Sequence, residues 1–323
     1  RGFQESMLMY QAFKTGIFEV LNGNQKTATD VAQAIDCIPE HTAFLLNALV
    51  ALGLLEKNDD LYTNSEVAQT FLVSNSKFYQ GDLLELQFAP KRRQQWEKLG
   101  EWLKGENAGI IRSDKPNEVF NPLFVKAMAQ GALSNKGFDE TISLIANHSS
   151  FRTARRLLDL GGGHGLYAIA LKQIKPELES VVFDLPHVGQ VTQEYSRQYG
   201  TSVGFHPGDF YKDELPAGQD IVLAFDVLYP VPTGKKEDVL VKINHALNPG
   251  GYLFLKQWFL DHTRTCPKRA AFFALTMRLA NSVSHVCTLQ EGEEMLINAG
   301  FQSEGSSVIE DSASTLLIAR KIG

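Results

Sequence analysis

The chain has 323 residues, 44% of them hydrophobic and 21% charged, with a formal net charge of −6. This length allows two domains of ordinary size, each with its own core. The acidic excess argues against nucleic acid as the main partner, and no apolar run approaches the roughly 18 to 20 residues of a membrane span. Cys37, Cys266 and Cys287 have neither disulfide nor zinc spacing. With no signal peptide pattern at the start, we expect a cytoplasmic protein without a metal.

Residues 1–105 have helical periodicity that capping signals interrupt. A first apolar stripe, which we expect to end at Asn22-Gly23, consists of Met7, Leu8, Ala12, Phe13, Ile17, Phe18 and Leu21. Two further helices are predicted, from Thr29-Asp30 through Ile35 and from Pro39 to Leu52. Two short extended arms around a polar turn follow within residues 54–63. Three helices followed by a hairpin predict a winged helix.

Many winged helices bind DNA, but the charge of this one does not favour that function. Residues 1–105 contain 10 Lys and Arg against 13 Asp and Glu, so no basic recognition face is expected. The stripe from Met7 to Leu21 is too apolar for a small domain to bury alone. We therefore predict that residues 1–105 form a dimerisation domain and that the protein is a homodimer.

Residues 106–150 are predicted to form a helical connector, with one helix over 123–133. Strands and helices alternate over the remaining residues, 151–323. The predicted strands are 155–160, 180–185, 202–207, 220–226, 251–257, 302–309 and 315–320, and the predicted helices are 166–174, 188–199, 235–247, 268–280 and 289–299. This alternation predicts an α/β domain with a doubly wound, Rossmann-like parallel sheet that binds its ligand at the carboxyl ends of the strands.

The most informative motif follows the first of these strands, where Leu157-Leu158-Asp159-Leu160 runs into the glycine-rich turn 161–165. Glycines there bring the backbone close to a ligand. Asp184 ends the next strand, where a carboxylate can bind both hydroxyls of a ribose. Residues 163–168 also fit the dinucleotide pattern G-x-G-x-x-A. Asp159 would repel a pyrophosphate but can accept from the ammonium of S-adenosylmethionine (SAM), so SAM is favoured over a nicotinamide or flavin dinucleotide.

Four motifs together give the chain its resemblance to a known family. They are LDLGGGHG at 158–165, FDLP at 183–186, GDF at 208–210 and NPGG at 248–251. With these motifs the chain resembles the SAM-dependent small-molecule O-methyltransferases of plant phenolic and bacterial natural-product pathways, over nearly its whole length. The resemblance implies an N-terminal winged-helix domain that makes a homodimer and a C-terminal doubly wound domain that binds SAM.

The resemblance also implies a role for individual residues. Gly161 and Gly163 would pass under the amino-acid tail of SAM, and Asp184 would hold its ribose. The adenine would lie among residues that pack on it, accept from its amino group or cover its ring: Leu185, Gly208, Asp209 and Phe210. A Lys or polar residue of the family near the cofactor corresponds to Phe225. Without the resemblance, Asp209 also fits a turn and Phe210 also fits the core.

The sequence departs from the family at the catalytic position. Many members have a His base in a run that reads Leu-His-Asp-Trp, and the equivalent run here is Leu228-Tyr229-Pro230-Val231. The two glutamates that steady this His correspond to Gln257 and Val286, or to His285 if the second alignment shifts by one residue.

This departure bears on the acceptor. A phenol such as Tyr229 is a poor base at neutral pH, although it can hydrogen-bond and shape a pocket. A thioether sulfur has no proton to lose, and an electron-rich carbon loses its proton after attack. We therefore expect methyl transfer to carbon or sulfur of a small-molecule acceptor. The alternatives are an O-methyltransferase in which Tyr229, His285 or an N-terminal residue is the base, and a SAM-binding protein that transfers no methyl group.

Overall fold

The structure is a computed structural model that describes residues 1–105, 116–134, 136–280 and 284–322. The helices are α1 Gly2–Lys14, α2 Ile17–Val20, α3 Ala28–Ala34, α4 Pro39–Ala51, α5 Glu66–Phe71, α6 Gly81–Gln87, α7 Pro90–Glu97, α8 Leu99–Leu103, α9 Pro116–Val119, α10 Pro122–Leu133, α11 Gly137–Asn147, α12 Ser149–Thr153, α13 Leu166–Ile174, α14 Gly189–Gln198, α15 Lys236–Ala246, α16 Lys268–Ala280 and α17 Leu289–Asn298. The strands are β1 Lys26–Thr27, β2 Leu55–Asn58, β3 Leu61–Asn64, β4 Arg156–Leu160, β5 Glu179–Asp184, β6 Gly204–Pro207, β7 Gln219–Phe225, β8 Leu247–Gln257, β9 Phe301–Ile309 and β10 Ser314–Lys321.

The described residues form two compact units. The first contains residues 1–90 and 130–134, and the second contains the described residues of 91–129 and 135–323. The segment 106–115, at the start of the predicted connector, lies outside the described residues. The sequence-based boundaries at 105 and 150 stay a prediction, because this division by contacts falls after Pro90.

The first unit contains α1 to α6 and a small antiparallel sheet in the order β1-β3-β2. The prediction of one helix reaching Leu21 was wrong: α1 ends at Lys14, and α2 begins after Gly16, whose φ is +80°. Glycine adopts this left-handed backbone without a Cβ penalty, so the apolar stripe continues across a break in the helix. Thr27, not Thr29, caps α3, and it forms a reciprocal capping box with Asp30.

The second unit contains a seven-stranded sheet in the order β6-β5-β4-β7-β8-β10-β9. In this order, the five strands β6, β5, β4, β7 and β8 pair in parallel, and β10 pairs antiparallel with both β8 and β9. Side chains alternate between the two faces of the sheet, so Leu158 and Leu160 join one buried cluster and Leu157 joins another. Both faces are therefore covered, and the predicted doubly wound α/β fold is confirmed.

The order of the strands places the candidate site. Strand β4 lies between β5 and β7, and the three strands run parallel. Their carboxyl ends, and the turns after Leu160, Asp184 and Phe225, therefore meet at one edge of the sheet, which is where doubly wound domains bind ligands. None of the helices in the described ranges has the length and apolar character to cross a bilayer.

Candidate cofactor and acceptor site

The turn after β4 depends on glycine at positions where a side chain does not fit. Gly161 has φ +63°, and a Cβ there would lie 2.5 Å from Cγ1 of Val227. Gly163 has φ +52°, and its N–H donates to Oδ2 of Asp184 at 2.8 Å. The Thr192 hydroxyl donates to the Gly163 carbonyl at 2.6 Å and fixes the turn from the other side. The turn therefore presents bare backbone at the edge of the sheet.

Asp159 lies buried beneath this turn, with 1% of its surface exposed. A Cβ on Gly162 would lie 2.5 Å from its Oδ2, and this Oδ2 accepts no hydrogen bond from any described residue. Burial, reinforced by the charge of Asp184, raises the pKa of Asp159 to about 7. A buried carboxylate oxygen without a donor is an open position for a cationic or N–H group.

Asp184 ends β5 and is tied to the glycine turn. It accepts from the backbone N–H of Gly163 at 2.8 Å and of Leu185 at 2.7 Å. Burial raises the pKa of Asp184, and these two donors partly oppose the rise. The carboxylate is thus oriented by the backbone at the end of its strand, with lone pairs left for a ligand.

A groove of about 520 Å³ runs along the adjacent ends of β5 and β6. Its lining includes the predicted residues Leu185, Gly208 and Asp209, together with Pro186, His187, Pro207, Lys212 and Asp213. Asp209 accepts from the Tyr211 N–H at 3.0 Å and from the Lys212 ammonium at 2.9 Å, so its carboxylate also stabilises the local turn. Phe210 packs against the core of the second unit and stacks on Tyr211 with ring centroids 4.7 Å apart.

Phe225 is the last residue of β7. Its ring meets that of Tyr167 edge to face at 4.8 Å, and the Lys256 ammonium lies 5.2 Å from its centroid. Lys256 comes from β8, where it pairs with Phe225 in register. Burial opposes the charge of Lys256, but Asp226 and Tyr167 outweigh burial and raise the pKa of Lys256. Burial, followed by the charge of Lys256, lowers the pKa of His164, in the glycine turn, to about 4.

The Tyr229 hydroxyl is engaged on both sides. It donates to Oδ1 of Asp226 at 3.0 Å and accepts a short hydrogen bond from the Trp258 N–H. Burial, followed by the Asp226 charge, raises the pKa of Tyr229 well above its ordinary value. The ring packs against Phe273 at 4.7 Å, and Phe273 packs against Trp258 at 4.8 Å. We call these three rings, Tyr229, Trp258 and Phe273, the aromatic cluster.

His285 lies near this region, but its side chain faces another group. In the segment 284–288, Val286 belongs to the same buried cluster as Tyr229, whereas Nε2 of His285 lies 3.5 Å from Oε2 of Glu291. Burial and the Lys236 charge lower the pKa of His285, so its imidazole is neutral at pH 7. Of the two residues considered above, Val286 thus shares the buried cluster of Tyr229, and His285 pairs with Glu291.

His285, Cys287 and Glu291 form a cluster with the spacing of a metal site, with one ligand atom from each within 4.8 Å of the others. Cations already surround them. The Lys236 ammonium lies 3.3 Å from Sγ of Cys287 and donates to the His285 carbonyl at 2.6 Å, and Arg264 pairs with Glu291. These cations disfavour a further divalent ion, and the absence of a metal stays our prediction.

The structure thus brings together Asp159, Gly161, Gly163 and Asp184, and it places Leu185, Gly208 and Asp209 along one groove. Sequence reasoning missed Asp226 as the partner of Tyr229, and it missed Lys256 as the partner of Asp226. Asp226 directly follows the apolar strand β7, just as Asp159 and Asp184 lie at the carboxyl ends of β4 and β5. The sequence therefore contained a signal for Asp226. Lys256 is 30 residues away, and only the pairing of β7 with β8 brings the two together.

These residues fit SAM. The unpartnered oxygen of Asp159 suits an ammonium, the bare turn admits the amino-acid tail, and the Asp184 carboxylate suits a ribose. The groove beside Leu185 offers a wall for an adenine ring.

Comparisons with known proteins agree with this fit. Residues 102–302 match the O-methyltransferase domain and residues 1–74 match the O-methyltransferase dimerisation domain. Over 98% of this chain and 92% of the relative, the sequence is 29% identical to N,N-dimethyltransferase OxyT of Streptomyces rimosus. It is 28% identical to 3-hydroxy-5-methyl-1-naphthoate 3-O-methyltransferase of Streptomyces sahachiroi, over 85% of this chain and 80% of the relative.

The fold is also that of a solved methyltransferase. The structure of human N-acetylserotonin methyltransferase in complex with SAM aligns with a TM-score of 0.84, at 23% identity, over 100% of this chain and 95% of that one. The dimerisation domain supports a homodimer. The chain belongs to the O-methyltransferase family, and it is a SAM-dependent methyltransferase.

Proposed function

We propose that this methyltransferase acts on a small molecule through an acceptor atom that does not have to lose a proton before it attacks. The observation that carries the proposal is the engagement of the Tyr229 hydroxyl by Asp226 and Trp258. A phenol held in this way, with its pKa raised, is not a base at neutral pH. SAM supplies a methyl group on a sulfonium, and a nucleophile with a free lone pair can approach it in line.

The residues proposed to hold SAM are those at the ends of β4, β5 and β6. We assign the ribose to Asp184 and the ammonium of the amino-acid tail to Asp159, with the tail lying over Gly161 and Gly163. The buried, unpartnered oxygen of Asp159 supports this assignment. The adenine is assigned to the groove lined by Leu185, Gly208 and Asp209, with Phe210 beside it.

The set of proposed acceptor atoms is wider than the carbon and sulfur expected from the sequence. By their names, the two relatives described above methylate nitrogen and oxygen, and neither name supports the expected carbon or sulfur acceptor. An aromatic amine nitrogen, which is unprotonated at neutral pH, meets the same physical condition as carbon or sulfur, since it attacks through its lone pair and loses its proton afterwards. We therefore propose a nitrogen, carbon or sulfur acceptor.

An O-methyltransferase with a substitute base is the second candidate. The neutral His285 imidazole, paired with Glu291 at 3.5 Å, supports it. The place of Val286 in the same buried cluster as Tyr229 weighs against it, because the His285 side chain pairs with Glu291 instead.

The test is product analysis with purified protein, SAM and a matched set of aromatic amines, thioethers and phenols. We expect S-adenosylhomocysteine (SAH), together with a methylated product, from an amine, a thioether or an electron-rich ring carbon. SAH from phenols alone, with the methyl group on oxygen, would contradict the proposal and favour the His285 candidate. A His285→Asn variant that loses this O-methylation would then identify the base.

A further inference from the structure

Asp226 follows β7 directly and has an unusual backbone. Its φ is +59°, in the left-handed region that non-glycine residues seldom adopt. Its N–H donates to the Lys256 carbonyl at 2.8 Å, which continues the pairing of β7 with β8 and holds this conformation. Such backbone strain is concentrated at functional sites.

The Asp226 carboxylate is held firmly and yet remains accessible. Oδ1 accepts from the Tyr229 hydroxyl at 3.0 Å, and Oδ2 lies 3.3 Å from the Lys256 ammonium. Of the two charges in this pair, the Lys256 side chain is 9% exposed and that of Asp226 is 47% exposed. Since a carboxylate has about four lone-pair sites, Asp226 keeps acceptor capacity on its exposed side.

The position of Asp226 connects the two halves of the candidate site. One partner, Tyr229, belongs to the aromatic cluster. The other, Lys256, faces Tyr167 at 5.4 Å from its ring centroid and acts electrostatically on His164 of the glycine turn. The reacting atom of an acceptor has to meet both the cofactor and the surface that binds the acceptor, and Asp226 has one partner on each of these two sides.

A carboxylate is a weak base, so only a group that is about as acidic as a carboxylic acid transfers a proton to it readily. A phenol or an alkylammonium is a weaker acid than a carboxylic acid by about six pK units, so a carboxylate is a poor proton acceptor for either. An arylamine is neutral at pH 7 and donates an N–H hydrogen bond to a carboxylate. Once it carries the extra methyl group it is an arylammonium, which is about as acidic as a carboxylic acid. A ring carbon has no such hydrogen bond to orient it.

Resting on the function proposed above, we propose that Asp226 is a catalytic residue for methylation of an aromatic amine nitrogen. The nitrogen lone pair forms the bond to the methyl carbon while the carbon–sulfur bond breaks, and the electron pair of that bond stays on sulfur. The carboxylate stabilises the positive charge that develops on nitrogen and then receives its proton. The aromatic cluster provides the packing surface for the aromatic ring of the acceptor.

The experiment compares Asp226→Asn with Asp238→Asn. Asparagine keeps the size of the side chain and tolerates positive φ, but its amide is not a proton acceptor of comparable basicity. Asp238 is exposed on α15 and gives the same chemical change away from the site. SAM binding is measured first by calorimetry for each variant, and turnover is then followed as SAH formation with α-naphthylamine and α-naphthol as matched probes.

We expect the native protein to N-methylate α-naphthylamine and Asp226→Asn to lower kcat by about 10²-fold or more. We also expect SAM affinity to stay within about twofold and Asp238→Asn to behave as native. A kcat for Asp226→Asn within about threefold of native overturns the role of Asp226. SAM binding without N-methylation of α-naphthylamine, or with methylation of α-naphthol alone, overturns the acceptor class. Failure of the native protein to bind SAM overturns the proposed function itself.

Discussion

Replacing Asp159 by Asn tests the buried carboxylate beneath the glycine turn. In the native protein burial raises the pKa of Asp159 from 3.8 to about 7. Between these values the folded state holds a proton that the unfolded state has released, so the free energy of unfolding falls as pH rises. At about 1.36 kcal/mol per pK unit, the loss is about 4 kcal/mol between roughly pH 4 and pH 7.

The asparagine side chain is neutral at every pH, so the variant should not show this loss. We expect Asp159→Asn to be the more stable protein above about pH 7, with the two curves converging toward pH 4. The assay is denaturant unfolding without ligand across this range. The raised pKa of Asp184 contributes in the same direction in both proteins, so the difference between the curves reports Asp159 together with its interaction with Asp184. Parallel curves from pH 4 to pH 8 would refute the reasoning.

The same carboxylate should make SAM binding depend on pH. An ammonium placed against Asp159 favours its charged form and lowers its pKa, so binding at pH 7 should release a fraction of a proton. Calorimetry in buffers of different ionisation enthalpy measures this release, which we expect to vanish in Asp159→Asn. Equal proton release by both proteins would show that the ammonium lies elsewhere.

Three other predictions follow from the site and the dimerisation domain. Asp184→Ala should weaken SAM binding by about 1 to 3 kcal/mol, and calorimetry showing unchanged affinity, or tight binding of a nicotinamide cofactor by the native protein, would contradict the ribose assignment. Tyr229→Phe should lower activity by about tenfold or less. A larger loss, with a native rate that climbs steeply toward pH 10, would restore Tyr229 as the base. Light scattering at micromolar concentration should give twice the chain mass of 35.9 kDa, and a monomer would count against dimerisation.

Much of the second unit could be predicted because its local and global signals agree. Strand β4 and helix α16 lie within one residue of their predicted bounds. Buried parallel strands are continuous apolar runs, and each ends at a glycine or a carboxylate that marks the site. The first unit was harder, since its apolar stripe continues through Gly16 although the helix does not.

The pairing of Lys256 with Asp226 could not be predicted from local pattern. Asp226 and Lys256 meet because β7 and β8 pair in one particular register, and a shift of one residue would turn Lys256 to the other face of the sheet. Similarly, Val286 joins the buried cluster of Tyr229 while the His285 side chain pairs with Glu291. Such orientations depend on tertiary packing, which single-sequence periodicity does not contain.

The order β8-β10-β9 at one edge of the sheet has a consequence for synthesis of the chain. Strand β10 lies between two strands that both leave the ribosome before it. Until it arrives, β9 has no strand to pair with in the described sheet, and β8 presents an open edge to other chains. A nascent or truncated chain that stops at Ala313 would leave these strand edges exposed, although it already contains the glycine turn and Asp184. We therefore expect such a chain to aggregate or to bind chaperones.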